Sequence, residues 1–126
     1  MFSLYLLIII DIIALVLAQL ALKKGMLILG PIDFSLANFW NLFLTVFKNF
    51  YLLSGLFLMG VNFMLWLFIL SRVNLNIIYP ISNSLSLTLA VVGSYFLFKE
   101  SLHPVQIIGI VAIVIGIFLV LKPFNN

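Results

Sequence analysis

The chain has 126 residues, of which 66% are hydrophobic and 7% are charged, with six basic and three acidic side chains and a net charge of +3. Soluble domains are about 45–50% apolar and about 25% charged, so this composition excludes a soluble domain, and it also excludes a disordered chain, which requires low hydrophobicity and high charge. The basic residues form no cluster that could follow a phosphate backbone, which argues against nucleic acid as a partner, and the absence of Cys excludes disulfides and Cys-based metal sites.

Four apolar segments are long enough to cross a bilayer, whose hydrocarbon core of about 30 Å takes about 20 residues of helix. They cover approximately residues 2–22, 50–71, 75–98 and 104–121. None shows the apolar–polar alternation of membrane β-strands. The sequence therefore predicts an all-α membrane protein with four transmembrane helices in a single membrane domain over 1–126, located in the cell membrane as a multi-pass protein.

The sequence of the first span indicates where the span ends and whether it is a signal peptide. Lys23-Lys24-Gly25 follows it, and Gly25 is typical of a helix C-terminus. No basic residue precedes the apolar run, and Asp11 lies in its middle. We interpret the segment as an uncleaved first span and not as a signal peptide.

The connection between the first two spans, residues 25–49, is too long for a tight turn. Asp33 and Ser35 offer helix caps, and apolar residues then recur at helical spacing: Leu36, Phe39, Trp40, Phe43, Leu44 and Phe47. Twelve residues of helix reach only about 18 Å, too short to span. We predict an interfacial helix over about 36–47 with Trp40 as its anchor; the alternative is an extension of the second span.

Basic residues near the span ends indicate the insertion direction. One side would hold Lys23, Lys24, Lys48 and Lys99, and the other would hold Arg72 and Lys122. The bias is small, so both insertion directions stay open, and two oppositely inserted chains could pair antiparallel.

Polar side chains inside membrane spans are costly and mark candidate functional residues. Asp11 shares a helical face with Ala14 and Ala18, which would let another helix or a substrate approach closely. It is a candidate proton or cation site; the alternative is an Asp that hydrogen-bonds a neighbouring helix. Asn62 is isolated in the second span, and we expect it to serve packing.

Gln19 and Lys23 are one turn apart and share a face near the end of the first span. Together they could hold a phosphate group, with the Lys neutralising its charge and the Gln donating a hydrogen bond. The alternative is that Lys23 is a flanking residue that extends towards the headgroups.

The third span is the most polar of the four. Small and hydrogen-bonding residues follow one helical line: Tyr79, Ser82, Asn83, Ser86, Ala90 and Gly93. This stripe either lines a polar substrate path or packs against other helices. If the helix begins before Pro80, that residue removes one backbone hydrogen bond and can kink the helix.

In the fourth span Gly109, Ala112 and Gly116 recur at spacings of three and four, a pattern of close helix–helix contact, and we predict a dimer-packing stripe. His103 with Glu100 provides too few ligands for a zinc site, and no phosphate-binding loop is present. We therefore expect no enzyme activity, no metal and no cofactor.

These residues also carry a family resemblance. The segment AQLALKKG at the end of the first span resembles the four-helix members of the drug/metabolite transporter superfamily. The closing half of an EamA-type domain is similar to LSRVNLNIIYPISNSLSLTLAVVGSYFLFKESLHPVQIIGIVAIVIGIFLVL.

Two small families within that superfamily are similar to the chain. The flippase subunits that move aminoarabinose on undecaprenyl phosphate have a Gln-Leu-x-x-Lys pattern that matches Gln19, Leu20 and Lys23. Their Ala-Tyr-Pro pattern matches Tyr79-Pro80, with Ile78 in place of Ala.

The small multidrug resistance proteins share the Lys, the Tyr and a pair of Gly residues, here Gly109 and Gly116. Their essential membrane Glu, however, aligns with Leu15, and a Trp of their aromatic cage aligns with Ser82. Asp11 lies one turn before Leu15, so the carboxylate could have moved along the helix.

The resemblance implies a transporter that flips a polyprenyl-phosphate-linked sugar or a related amphiphilic lipid. Gln19 and Lys23 would then meet the phosphate, and Tyr79, Ser82 and Asn83 would line the headgroup path. Membrane lipids and a homodimer or a heterodimer with a paralogous small subunit, in an antiparallel arrangement, are the implied partners. The alternatives are a proton-coupled exporter of small cations that uses Asp11, and a non-transporting membrane subunit.

Overall fold

A computed structural model describes residues 2–32 and 35–122, and all of its regular elements are helices. They are α1 (Phe2–Leu29), α2 (Phe39–Lys48), α3 (Phe50–Leu70), α4 (Leu75–Phe98) and α5 (Pro104–Leu121). All except α2 are long and apolar enough to cross a membrane. The predicted all-α class, with four spans and one shorter helix between the first two, is confirmed.

Helix α1 is longer than the sequence predicted, and the prediction that it ends at Gly25 is wrong. It continues through Leu29 and ends at Gly30, whose φ of +81° is the left-handed conformation typical of the residue after a helix. The Gly30 amide donates to the Met26 carbonyl at 2.9 Å. Gly25 instead faces α3, where a Cβ would lie 2.6 Å from Leu52 Cγ.

The second helix is separate from the third. Asn49 between them is extended, with φ −93° and ψ 120°, so α2 is not an extension of α3. The Asn49 Oδ1 accepts the Tyr51 amide at 2.9 Å and caps α3. Helix α2 begins at Phe39, later than the predicted residue 36, while the candidate cap Asp33 lies outside the described residues. Its position at the membrane surface stays a prediction.

Helix α1 is the centre of the bundle, because it packs against both α3 and α4, while α2 lies on α3 and α5 lies on α4. Small residues bring α1 and α3 close: Ala18 is completely buried, and a Cβ at Gly55 would lie 3.1 Å from the Ala18 carbonyl oxygen. Gly93, in the polar stripe of α4, similarly leaves room for Leu20 of α1. A Cβ at Gly93 would lie 3.0 Å from Leu20 Cδ1. The main apolar core is therefore between α1 and α3.

Helices α4 and α5 have well-defined beginnings. Since α4 begins at Leu75, Pro80 lies inside it and leaves the Asn76 carbonyl without its usual helical hydrogen bond. Helix α5 begins at Pro104 with a capping box, in which Gln106 Oε1 accepts the His103 amide at 2.9 Å. The polar Gln106 of the fourth span thus caps a helix.

Candidate functional site

A groove runs between α1 and α4 and consists of three neighbouring cavities of 160, 310 and 220 Å³. Leu15 and Asn83 line both the first and the second cavity, and Gln19 and Ala90 line both the second and the third. We refer to this surface, from Asp11 to Lys23, as the α1–α4 groove. Residues at spacings of four along α1 supply one wall, because side chains four apart share a helix face.

The Asp11 end of the groove contains a buried carboxylate. Asp11 is 1% exposed, and Asn62 Nδ2 donates to its Oδ1 at 2.7 Å and to its backbone oxygen at 3.0 Å. Trp66 and Tyr79 line the same cavity, with ring centroids 6.3 Å apart. The arrangement places a hydrogen-bonded carboxylate beside two aromatic rings that α3 and α4 supply.

The middle of the groove has a polar floor and an open side. Ser86 is buried, and its hydroxyl donates to the Ser82 carbonyl at 2.7 Å. Gln19 and Asn83 are exposed and lie across from each other on α1 and α4. Because both amides have donors and acceptors that no side chain in this cavity occupies, a polar group that moves along the groove could bind them.

The other end of the groove carries the positive charge. Lys23 lines the third cavity together with Gln19, and its ammonium is 3.4 Å from Glu100 Oε1, with both side chains about half exposed. Exposed ion pairs contribute only about 0–1 kcal/mol, so another anion could replace Glu100 at little cost. Lys24 instead lies over the Tyr51 ring, 4.6 Å from its centroid.

The groove brings together all seven residues that were predicted from the sequence as candidates for substrate binding: Asp11, Gln19, Lys23, Tyr79, Ser82, Asn83 and Ser86. Their role in binding stays a prediction. Asn62, which we expected to serve packing, is not isolated: it joins α3 to α1 through its hydrogen bonds to Asp11, as in the alternative stated for Asp11. Trp66 was not named as a candidate from the sequence. A lone Asn and a lone Asp in two apolar spans are a usable signal, because polar groups inside a membrane find each other.

The predicted dimer-packing stripe lies on a surface of α5 that the rest of the described chain does not cover. Apart from the chain neighbours and the backbone of α5 itself, no atom of residues 2–32 and 35–122 lies within 4 Å of a Cβ placed on Gly109 or Gly116, and Ala112 is exposed. The stripe is therefore available to another helix, and dimer packing stays a prediction. In residues 2–32 and 35–122, no group of three His, Cys, Asp or Glu side chains could hold a metal ion.

The chain is similar to a known family and to a known protein. Residues 2–122 match the EamA-like transporter family. Over 75 residues the chain is 29% identical to a probable 4-amino-4-deoxy-L-arabinose-phosphoundecaprenol flippase subunit, ArnE, from Pseudomonas savastanoi pv. phaseolicola (strain 1448A / Race 6). That alignment covers 60% of this chain and 65% of the relative, so the chain spans just under two thirds of the relative's length. No solved structure matches the chain.

Proposed function

The chain belongs to the EamA-like transporter family, a group of multi-pass membrane transporters of the drug/metabolite type, and on this basis we propose that it moves an amphiphilic lipid with an anionic headgroup. A polyprenyl-phosphate-linked sugar is the substrate class that fits best. The relative is named as a flippase subunit for a sugar-phosphate lipid of this kind. The headgroup would pass along the α1–α4 groove while the hydrocarbon chain stays in the bilayer.

The observation that carries the proposal is the continuity of the α1–α4 groove. Polar side chains line it over several turns, and it ends at Lys23, whose ammonium contacts only a half-exposed carboxylate among the described residues. A lipid headgroup needs a polar path beside an open side through which its tail can extend. Gln19 and Asn83 provide such a path, since both are exposed at the groove's open side.

A second subunit would complete the path. Four spans are few for enclosing a polar headgroup, and the relative is named as a subunit. We propose a homodimer, or a heterodimer with a paralogous small chain, that packs through Gly109, Ala112 and Gly116. Small residues at this spacing allow close contact between membrane helices.

Transport by reconstituted vesicles tests the proposal. The substrate is a fluorescent short-chain polyprenyl phosphate whose outer-leaflet fraction a membrane-impermeant reductant bleaches. A charged hydrogen bond contributes about 1.5–3 kcal/mol, so Lys23→Ala should slow transport at least about tenfold. Lys24→Ala is the matched control, because Lys24 has the same charge and lies outside the groove, and it should transport normally.

Two results would contradict the proposal. Wild-type transport by Lys23→Ala would remove Lys23 from the mechanism. An absence of transport by the unmodified protein, both alone and after purification together with its native partners, would favour the non-transporting subunit. Helix content and oligomeric state should be equal in the two Lys variants, so that a loss of transport reports on the groove and not on folding.

A second candidate function, proton-coupled export of small cations, has one observation in its favour. Asp11 is buried beside Trp66 and Tyr79, and a carboxylate with aromatic rings suits an organic cation. On this hypothesis, binding of tetraphenylphosphonium releases protons from the wild type but not from Asp11→Asn. Equal proton release from both proteins would exclude Asp11 as the coupling group.

A further inference from the structure

We infer that the surface around α2 binds a phospholipid with an anionic headgroup, whose phosphate contacts Lys24 and Lys48 and whose acyl chains pack against the aromatic face of α2. We refer to Lys24 and Lys48 together as the α2 phosphate site. Neither residue lines the α1–α4 groove, so the inference does not rest on the proposed transport.

Helix α2 lacks the tertiary contacts that ordinarily stabilise a short helix. It has ten residues, none of which is buried, and it packs mainly against α3. Isolated helices shorter than about 12–15 residues are marginally stable in water. The side chains of Trp40, Phe43 and Phe47 are about half exposed or more. The helix therefore requires a further apolar partner that covers this aromatic face.

The position of α2 next to a membrane span identifies that partner as lipid. Helix α3 is long and apolar enough to cross a membrane and begins at Phe50, two residues after Lys48. Gly25 of α1 faces Leu52 in the first turn of α3, so Lys24 lies at the same end of this span. Headgroups surround the ends of a span and acyl chains begin just below them. An exposed aromatic face beside exposed Lys residues matches both layers of one lipid.

The charge of the α2 phosphate site indicates an anionic lipid. Over residues 2–32 and 35–122 a single ion pair is present, and it joins Lys23 to Glu100. Lys24 and Lys48 are both exposed and have no carboxylate within 4 Å in that part of the chain. Lys residues next to a membrane span attract anionic lipids, whereas zwitterionic lipids lack the net negative charge that would balance them.

The two ammonium groups can meet at one phosphate. Lys24 is held at the Tyr51 ring, 4.6 Å from its centroid. Lys48 precedes Tyr51 by three residues, so the Cα atoms of these two residues are at most about 11 Å apart. On α2, Lys48 lies about 100° around the helix from Phe47, at the edge of the aromatic face. Lys side chains at such an edge extend to the headgroups while the apolar face stays in the acyl chains.

Quenching of a single Trp by brominated lipids measures the site. The reporter protein carries Trp40→Phe and Trp66→Phe, which remove the two native Trp residues, and Phe47→Trp, which places the probe next to Lys48. Vesicles contain equal amounts of dioleoyl phosphatidylcholine and dioleoyl phosphatidylglycerol, with bromine on the acyl chains of one lipid or the other. An anionic-lipid site predicts stronger quenching when phosphatidylglycerol carries the bromine.

Substitutions of the two Lys residues test the assignment. In the reporter protein, Lys24→Gln and Lys48→Gln should each lower the preference for phosphatidylglycerol about fivefold, which corresponds to about 1 kcal/mol for one Lys near an anionic surface. Lys48→Arg keeps the charge and should retain the preference, which separates the loss of charge from a disturbance of α2.

Lys99→Gln is the matched control. Lys99 caps the end of α4, which lies on the same side of the bundle as the end of α1 because Lys23 contacts Glu100. The substitution removes the same charge from the same side but away from α2, so the preference should stay unchanged.

Three results would overturn the inference. Equal quenching by the two lipids would show that α2 does not select an anionic headgroup. A loss in Lys99→Gln as large as that in Lys48→Gln would show diffuse attraction to the charged surface and no defined site. A preference that survives the combined Lys24→Gln and Lys48→Gln substitutions would exclude both residues. Lipid transport is not measured here, so failure of the proposed function leaves this inference intact.

Discussion

Gly55→Ala should destabilise the contact between α1 and α3. A Cβ at this position would lie 2.8 Å from both Cγ and Cδ2 of Leu22 and 3.1 Å from the Ala18 carbonyl oxygen. The Leu22 side chain can rotate away, but the Ala18 oxygen belongs to the α1 backbone, so the two helices must separate slightly. Overpacking of this kind costs about 1–3 kcal/mol.

Gly60→Ala on the same helix is the matched control, because apart from its chain neighbours and the backbone of its own helix no atom of residues 2–32 and 35–122 lies within 4 Å of a Cβ placed there. Ala is favoured over Gly in a helix by about 0.5–1 kcal/mol, and this gain applies to both variants. The difference between their free energies of unfolding therefore isolates the packing cost, about 1–3 kcal/mol. Gly60→Ala alone should be neutral or slightly stabilising.

Reversible unfolding in mixed detergent micelles, with increasing fractions of dodecyl sulfate, measures both variants. Both variants also carry Trp40→Phe, so that loss of tertiary contact is followed by the emission of Trp66 alone, which lies on α3. If Gly55→Ala is as stable as Gly60→Ala, or more stable, then α1 and α3 are not in the close contact described here. Gly55 and Ala18 would then not determine how closely the two helices approach.

Two further predictions concern surfaces that the single chain leaves uncovered. Gly116→Leu should weaken self-association or partner binding while helix content is preserved, because the larger side chain prevents close helix contact. Analytical ultracentrifugation in detergent measures the oligomeric state. An unchanged oligomer would show that the α5 stripe is not the interface. In a Trp66→Phe variant, Trp40 should be quenched more strongly by lipids brominated near the headgroups than by lipids brominated at mid-chain, as expected for an interfacial helix. Stronger mid-chain quenching would contradict that position.

The exposed aromatic face of α2 explains why Trp40 is a useful probe. The Trp40 and Phe43 rings stack with centroids 5.7 Å apart, and Phe43 contacts Phe47 edge to face at 4.8 Å. All three side chains are about half exposed or more, so α3 does not bury them. An amphipathic helix with such a face is suited to the boundary between headgroups and acyl chains.

Several element boundaries were predictable because the local sequence contains strong signals. The bounds of α4 and α5 agree with the predicted segments 75–98 and 104–121. Pro104 is favoured in a first helical turn because it lacks the amide hydrogen that this turn leaves unpaired. In contrast, Gly25 and Gly30 are both plausible ends of α1 by local chemistry. The contact of Gly25 with Leu52 shows that Gly25 allows close packing against α3, whereas the helix ends before Gly30.

The class of the protein and the number of its membrane spans were determined by the sequence alone, since apolar runs in a membrane must satisfy their backbone hydrogen bonds internally and therefore form helices. The face of each helix could also be inferred, which is why the candidate residues of α1 and α4 share one groove. Only the tertiary structure decided which side chains of different helices contact each other. The hydrogen bond from Asn62 to Asp11 joins residues 51 positions apart, and helical periodicity, which repeats every 3.6 residues, carries no information about such pairs.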